Sequence, residues 1–198
     1  MRARPQQSGD QLASTVVPGP RRKPRWRRVS RSGLVLIATS LVAMTMSSCS
    51  VWDVQNYLNT VGYGANADYR CEQAIANGAT PSWFFGEVIG VNNAGGLGGW
   101  NNDWDLYSLD IIACQESGWN DHAQNGQYLG RWQLNMADIA AAGVSWNCYW
   151  NGCNGWNDGQ WQDWAANNYI WNRYANNGPR AGDAPVNALA FHNRNNWY

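Results

Sequence analysis

One carboxylate stands where the sequence changes from apolar to polar. Glu116 ends an apolar run that begins at Ile111, and Ser117 and Gly118 follow it directly. A carboxyl group at the end of a buried helix lies against apolar walls, so its neutral form is favoured and it can donate a proton near neutral pH. The pattern favours a site that cleaves sugars, because glycosidic bonds need a positioned acid. The simpler alternative is a solvated Glu at an ordinary helix end before Gly118.

The segment after Glu116 is rich in turn formers and carries aromatic and amide side chains. Tyr128, Trp132 and Gln133 are the candidates to face the acid. Asp121, five residues after Glu116, is a candidate second carboxylate, and a turn-forming role is the favoured alternative for it.

Helices are expected to position these residues. A helix over 103–116, capped by Asn102 or Asp103, brings Glu116 to its C-terminal end. No strand pattern is strong, and a small hairpin near 119–132 is the most that the sequence predicts. The chain is therefore predicted to be mainly α. The other expected segments are one or two short helices within 51–77, a Gly- and Asn-rich loop over 90–102, a helix over 135–142, an irregular loop over 144–157, and helices over 158–176 and 183–193, the last starting with Asp183 and Pro185.

The charges divide the chain into two parts. Residues 1–48 hold nine of the 14 Lys and Arg and a single acid, Asp10. Cys49 and the residues after it hold five Arg, no Lys and 13 acids. A body this acidic lacks the clustered cations that phosphate binding needs, so no nucleic-acid partner is expected. Thirteen of the 14 Trp also lie in this part, and exposed Trp faces are good platforms for sugar rings.

Four cysteines form an even set in a domain that we expect to be exported. We predict the pairs Cys148–Cys153 and Cys71–Cys114, although the sequence permits three connectivities. Only two His and no C-x-x-C pair are present, so neither a zinc site nor another metal or cofactor is expected.

The N-terminal part reads as a targeting segment. A long basic region over 1–32 precedes an uncharged apolar run over 33–46, which is too short for a comfortable membrane span but suits a signal sequence. The run ends in Met46-Ser47-Ser48-Cys49, which resembles the lipobox of bacterial lipoproteins and implies a lipidated Cys49. A cleaved signal peptide or an uncleaved anchor are the alternatives. The expected location is the outer face of the cell membrane, the cell wall or the medium.

Four blocks between residues 104 and 194 resemble the lysozyme-like soluble lytic transglycosylases, in the order that this family has them. The second block is also similar to the resuscitation-promoting-factor branch, and His192 stands where the family has Tyr. The blocks are Glu116-Ser117-Gly118-Trp119-Asn120 with Ala123; Gly126, Tyr128, Gly130, Trp132 and Gln133; Leu134 through Gly143; and Ala188-Leu189-Ala190-Phe191-His192-Asn193.

The resemblance implies a lysozyme-like α+β fold and cleavage of the β-1,4 bond between N-acetylmuramic acid and N-acetylglucosamine in peptidoglycan strands. Glu116 would act as both acid and base. Ser117 would orient Glu116, or simply cap the helix end. The other residues with an implied substrate contact, each with a packing role as its alternative, are Tyr128, Trp132, Gln133, His192 and Asn193.

The expected organisation is a targeting segment over 1–48, a helical extension over 49–102 and a transglycosylase domain over 103–198. Three other functions stay open from the sequence. One is a lysozyme-type hydrolase in which Asp121 activates water, since ordinary glycosidases use two carboxylates about 5–9.5 Å apart. The second is a non-catalytic lipoprotein that binds the cell wall. A third idea is a structural or interaction protein whose Trp-rich surface contacts other envelope proteins.

Overall fold

The computed structural model describes residues 49–64, 67, 69–96, 100 and 102–195. The predicted targeting segment over 1–48 lies outside these residues. The described part is mostly helical, which confirms a mainly α chain. Its elements are α1 Val51–Thr60, α2 Arg70–Ala76, α3 Phe84–Asn93, α4 Asp103–Ser117, β1 Gln124–Asn125, β2 Tyr128–Leu129, α5 Met136–Ala141, α6 Trp146–Asn151, α7 Asp158–Tyr174 and α8 Ala184–Asn195.

Helix α4 is the predicted catalytic helix, and it lies in the core. Leu109, Ile111 and Ile112 have no exposed surface. The side chain of Asn102 caps the helix by accepting the N–H of Asp105 at 3.0 Å. At the other end Gly118 has a φ of 63°, a left-handed conformation that glycine adopts without strain. Both ends therefore fall where the sequence predicts them.

Helix α8 packs against α4 more extensively than any other pair of elements does. Pro185 lies in its first turn, where a missing N–H costs no hydrogen bond. The N–H of Val186 donates to the Asp183 carboxylate at 3.3 Å, which confirms the predicted cap. Small buried residues along α8, such as Ala188 and Ala190, allow the close approach to α4.

The predicted hairpin is present and short. Gln124 pairs with Leu129 and Asn125 with Tyr128 in antiparallel register. The turn between them starts at Gly126, whose φ is 62°.

Two predicted loops contain helices. Helix α3 occupies residues up to Asn93, although the range 90–102 reads as a loop. Its Gly and β-branched residues have low helix propensity, but Phe84, Val88 and Val91 are buried, and packing against α7 stabilises it. Helix α6 interrupts the predicted irregular segment over 144–157.

Both predicted disulfides are formed. Cys71–Cys114 ties α2 to α4 two residues before Glu116, and Cys148–Cys153 closes the loop after α6. Cys49 is a free thiol. The described residues on both sides of the predicted boundary at 102 belong to one compact unit. Among the described helices, none combines the length and the apolar character that a membrane span requires.

Candidate functional site

The carboxyl group of Glu116 contacts an imidazole. His192 Nε2 lies 3.1 Å from Glu116 Oε1, and the two side chains are 14% and 17% exposed, respectively. Glu116 comes from the last turn of α4 and His192 from the last turn of α8. The packing of these two helices therefore brings together two residues that the sequence separates by 76 positions. Both retain an exposed fraction, so the pair is accessible to a substrate.

Ser117 links the helix end to the loop, not to Glu116. Its hydroxyl lies 2.9 Å from the carbonyl oxygen of Arg131 and 3.3 Å from that of Ala113. It also accepts the N–H of Asn120 at 3.1 Å. The expectation that Ser117 hydrogen-bonds to Glu116 is thus wrong for this structure. The hydroxyl instead fixes the segment that follows the acid.

Trp119 holds the exit from α4 in an unusual backbone conformation. Its φ is 60°, which is uncommon for a residue other than glycine. The indole Nε1–H donates to Asp110 Oδ1 at 2.7 Å, and Thr80 donates to Asp110 Oδ2 at 2.5 Å. Burial raises the pKa of Asp110 to about 6, while the two hydrogen bonds act to lower it. The hydrogen bond from Trp119 to Asp110 of α4 offsets the strain at this turn.

A buried arginine organises the loop after Glu116. Arg131 has no exposed surface, and its guanidinium lies 2.5 Å from Asp121, 2.8 Å from Glu87 and 3.3 Å from Asp163. Burial alone would lower the pKa of Arg131, but attraction to Asp163, then Asp121 and Glu87, raises it. The ring of Trp83 lies 4.5 Å from the guanidinium. The cation therefore joins α3, the loop and α7 in one charged cluster.

Asp121 is committed to this cluster. Its carboxylate accepts a hydrogen bond from the Nε–H of Arg131. Its backbone carbonyl oxygen accepts a second one from the side-chain amide of Gln162 at 2.9 Å. The residue forms a turn, as the favoured interpretation of the sequence expects. The carboxylate is thus occupied by a buried guanidinium, which speaks against Asp121 as the base of a hydrolase.

Trp132 is not available to stack on sugar. It is 1% exposed, and its Nε1–H donates to Asp163 Oδ1 at 2.8 Å. The prediction of a substrate contact is therefore wrong, because the side chain is part of the core. Tyr128, by contrast, is 43% exposed on β2 and has a free face for a ligand.

Asn193 is also in the core. It is 1% exposed, and its amide donates to Gln55 Oε1 of α1 at 3.2 Å. The expected substrate contact is wrong here too, since a side chain without exposed surface cannot touch a polymer. Gln133 is half-buried and donates to the carbonyl oxygen of Gly130 at 2.8 Å. Gln133 thus provides a hydrogen-bond donor for a backbone carbonyl of its own loop. This is the packing role expected as the alternative to a substrate contact.

Helices α5 and α7 add residues to the neighbourhood of Glu116 that the sequence does not single out. Burial raises the pKa of Tyr169, and the charges of Asp138 and Glu116 raise it further, while Arg173 opposes them. Tyr169 is therefore close enough to sense both carboxylates. Arg173 Nη1 donates to the Tyr169 hydroxyl at 2.7 Å. No short motif carries these residues, and only the packing of α7 reveals them.

The assembled site is the carboxyl group of Glu116 and the imidazole of His192 at the meeting point of α4 and α8, with Tyr169 of α7 in the electric field of Glu116. Such a set can donate and accept one proton at Glu116 and orient a polar substrate. In the described ranges, no three His, Cys, Asp or Glu side chains are arranged to hold a metal ion.

The chain was compared with protein families, curated proteins and solved structures. No protein-family model, no curated protein and no solved structure matches the chain.

Proposed function

We propose that this chain is a peptidoglycan lytic transglycosylase, which breaks the β-1,4 bond between N-acetylmuramic acid and N-acetylglucosamine. The observation that carries the proposal is the contact of Glu116 with His192 at the partly exposed meeting of α4 and α8. The four sequence blocks that resemble this enzyme family supply the substrate class.

The reaction needs one group that first gives and then takes a proton. In its neutral form, Glu116 protonates the glycosidic oxygen as the bond to the muramic C1 breaks. The resulting carboxylate then removes the proton from the muramic C6 hydroxyl, whose oxygen bonds to C1. A 1,6-anhydro ring closes, no water is consumed, and Glu116 regains its proton.

His192 supports this sequence as a positioning residue. A hydrogen bond between Nε2 and Glu116 Oε1 fixes the carboxyl group and leaves Oε2 to face the sugar. Such a hydrogen bond contributes about 0.5–1.5 kcal/mol while Glu116 is neutral and about 1.5–3 kcal/mol once it is a carboxylate, which suffices to select one orientation of the carboxyl group. The imidazole stands at the position where the resembling family carries a phenol.

A hydrolase is the second candidate, with a base different from the one that the sequence suggests. Asp121 is held by Arg131, whereas Asp138 in the first turn of α5 acts on Tyr169 together with Glu116. A hydrolase of this kind would use Asp138 to activate water while Glu116 protonates the leaving oxygen. A non-catalytic wall-binding protein is less favoured, because the acid and its partner are both in place.

Both disulfides fit a domain that works in an oxidising compartment outside the cytoplasm. Cys49 stands directly before Ser50, the N-cap of α1. A lipid on Cys49 would therefore hold α1, and the domain with it, close to the membrane surface.

Product analysis tests the proposal. Purified peptidoglycan is incubated with the protein, and the soluble fragments are identified by mass spectrometry. We expect 1,6-anhydromuramic ends. Reducing muramic ends that disappear in Asp138→Asn would establish the hydrolase, and uncut strands would leave a binding protein.

A further inference from the structure

A groove lies between the hairpin and helices α5 and α6, and we call it the hairpin groove. Its volume is about 670 Å³, which is within the range of about 300–1,000 Å³ that is usual for small-ligand sites. The residues that line it are Gln124, Gly126, Gln127, Leu129, Asn135, Met136, Ala137, Trp146 and Trp150.

Two tryptophans form an aromatic wall in this groove. The rings of Trp146 and Trp150 are 5.1 Å apart between centroids and inclined by 18°, so they stack. Trp146 is 39% exposed, and Met136 nearby in the lining is 49% exposed. Large apolar side chains grouped in this way on a surface mark a place where a ligand or partner binds.

The polar side chains in the lining are all uncharged. Gln124, Gln127 and Asn135 are amides, and no Asp, Glu, Lys, Arg or His is among the lining residues. A charged ligand would lose hydration here without gaining an ion pair. A ligand with apolar C–H faces and neutral hydrogen-bonding groups, such as an N-acetylated sugar, meets both the aromatic wall and the amides.

The walls of the groove are fixed to each other. Tyr149 of α6 has no exposed surface, and its hydroxyl donates to the carbonyl oxygen of Leu129 at 2.8 Å, which ties α6 to β2. The Cys148–Cys153 disulfide restrains the end of α6, and Ser145 caps its start by accepting the Cys148 N–H at 3.3 Å. A groove held in shape loses little conformational freedom when it binds.

We propose that the hairpin groove binds a neutral β-1,4-linked N-acetylglucosamine segment, with a pyranose ring stacked on Trp146 and its acetamido group on the glutamine amides. The choice of N-acetylglucosamine, rather than another neutral sugar, rests on the proposed function. The groove is a binding site only, and its occupation does not require that Glu116 cleave.

The test is isothermal titration calorimetry of the purified full chain carrying Glu116→Gln, with the β-1,4-linked N-acetylglucosamine tetramer as the probe. In this background, Trp146→Ala should weaken the Kd by about tenfold, as loss of an aromatic anchor does. Gln127→Ala, in the exposed hairpin turn, should weaken it by a smaller factor. Tyr69→Ala removes an aromatic ring of similar exposure, 38%, outside the groove and should change nothing.

The position at which the tetramer binds is identified from the indole N–H resonances in NMR spectra. Trp146 and Trp150 should shift with the tetramer and not with a peptidoglycan stem tetrapeptide. The proposal is overturned if the parent shows no binding, if Trp146→Ala and Gln127→Ala both bind like the parent, or if only the peptide shifts these resonances. Cleavage of peptidoglycan by the wild type is measured in parallel. Tetramer binding without cleavage defeats the proposed function alone, and cleavage without groove binding defeats the groove alone.

Discussion

His192 Nε2 lies 3.1 Å from Glu116 Oε1, and this contact joins the C-terminal ends of α4 and α8. At the N-terminal ends of the same helices, Asp105 and Asp183 share a hydrogen bond. The two helices thus run parallel, with one polar contact at each end.

Asp105 should make the stability of the protein depend on pH. Burial, followed by the hydrogen bond and the charge of Asp183, raises its pKa to about 8, while the unfolded carboxyl group ionises near 3.8. Between these values the folded state binds more protons than the unfolded state, so the free energy of unfolding falls as pH rises. The stabilisation is complete below pH 3.8 and lost above about pH 8.

Asp105→Asn tests this directly, because an amide can replace the protonated carboxyl group toward both Asn102 and Asp183. Denaturant unfolding is measured for both proteins at pH 5 and pH 7. As pH rises, the free energy of unfolding of the variant should increase relative to that of the wild type, by up to about 1.4 kcal/mol per pH unit. The other buried acids contribute the same pH dependence to both proteins, so their contributions cancel in the difference between the two free energies of unfolding. A difference in the free energy of unfolding that stays constant with pH would contradict the raised pKa of Asp105.

His192→Phe should lower kcat for peptidoglycan cleavage and leave KM nearly unchanged. Loss of a hydrogen bond to a charged group costs about 1.5–3 kcal/mol, or roughly 10- to 100-fold in rate. His192→Gln, which can still donate to Glu116, should recover part of the loss. Arg194→Gln, on the exposed surface of the same helical turn, serves as the control. Equal activity in His192→Phe and the control would remove the positioning role.

Arg131→Met should destabilise the domain strongly. The substitution leaves the carboxylates of Glu87, Asp121 and Asp163 together without their cation, and breaking a buried pair in this way costs about 3–5 kcal/mol. Arg70→Met, which removes an exposed cation, should change the free energy of unfolding by no more than about 1 kcal/mol. Thermal and denaturant unfolding measure both. A loss below about 1 kcal/mol in Arg131→Met would show that the cluster contributes little.

Cys49→Ala should move the protein from the membrane fraction to the soluble fraction of the cells that produce it. The reason is the proposed lipid on this thiol, which lies outside both disulfides. Labelled fatty acid should enter the wild type and not the variant. Cys148→Ala, which breaks a disulfide and spares Cys49, is the matched control. Absence of label from the wild type would refute the lipid anchor.

The positions of the main helices follow from local chemistry that a sequence displays. Asn102 and Gly118 bound α4, and Asp183 and Pro185 start α8, because capping and turn formation depend on a few neighbouring residues. Helices α3 and α6 do not show in the sequence, since α3 is rich in Gly, Asn and β-branched residues and α6 consists mainly of Trp and Asn. Burial stabilises α3, and α6 is tied down by a disulfide and the Tyr149 hydrogen bond.

The candidate site is predictable only at its centre. Glu116 is marked by its position after an apolar run, and His192 by its block near the C-terminus. Whether Trp132 and Asn193 face solvent or the core depends on α7 and α1, which are distant in sequence. The same holds for the Arg131 cluster, whose carboxylates come from three separate segments.

Glu116→Gln, assayed on purified peptidoglycan, is the decisive measurement. The amide keeps the shape and the hydrogen bond to His192 but has no proton to give, so release of fragments should fall by at least about 10²–10⁴-fold. The unfolding midpoint should stay close to that of the wild type, and Asp121→Asn should retain most of the activity. Wild-type fragments should carry 1,6-anhydromuramic ends. Full activity in Glu116→Gln would contradict the assignment of the acid and, with it, the proposed enzyme.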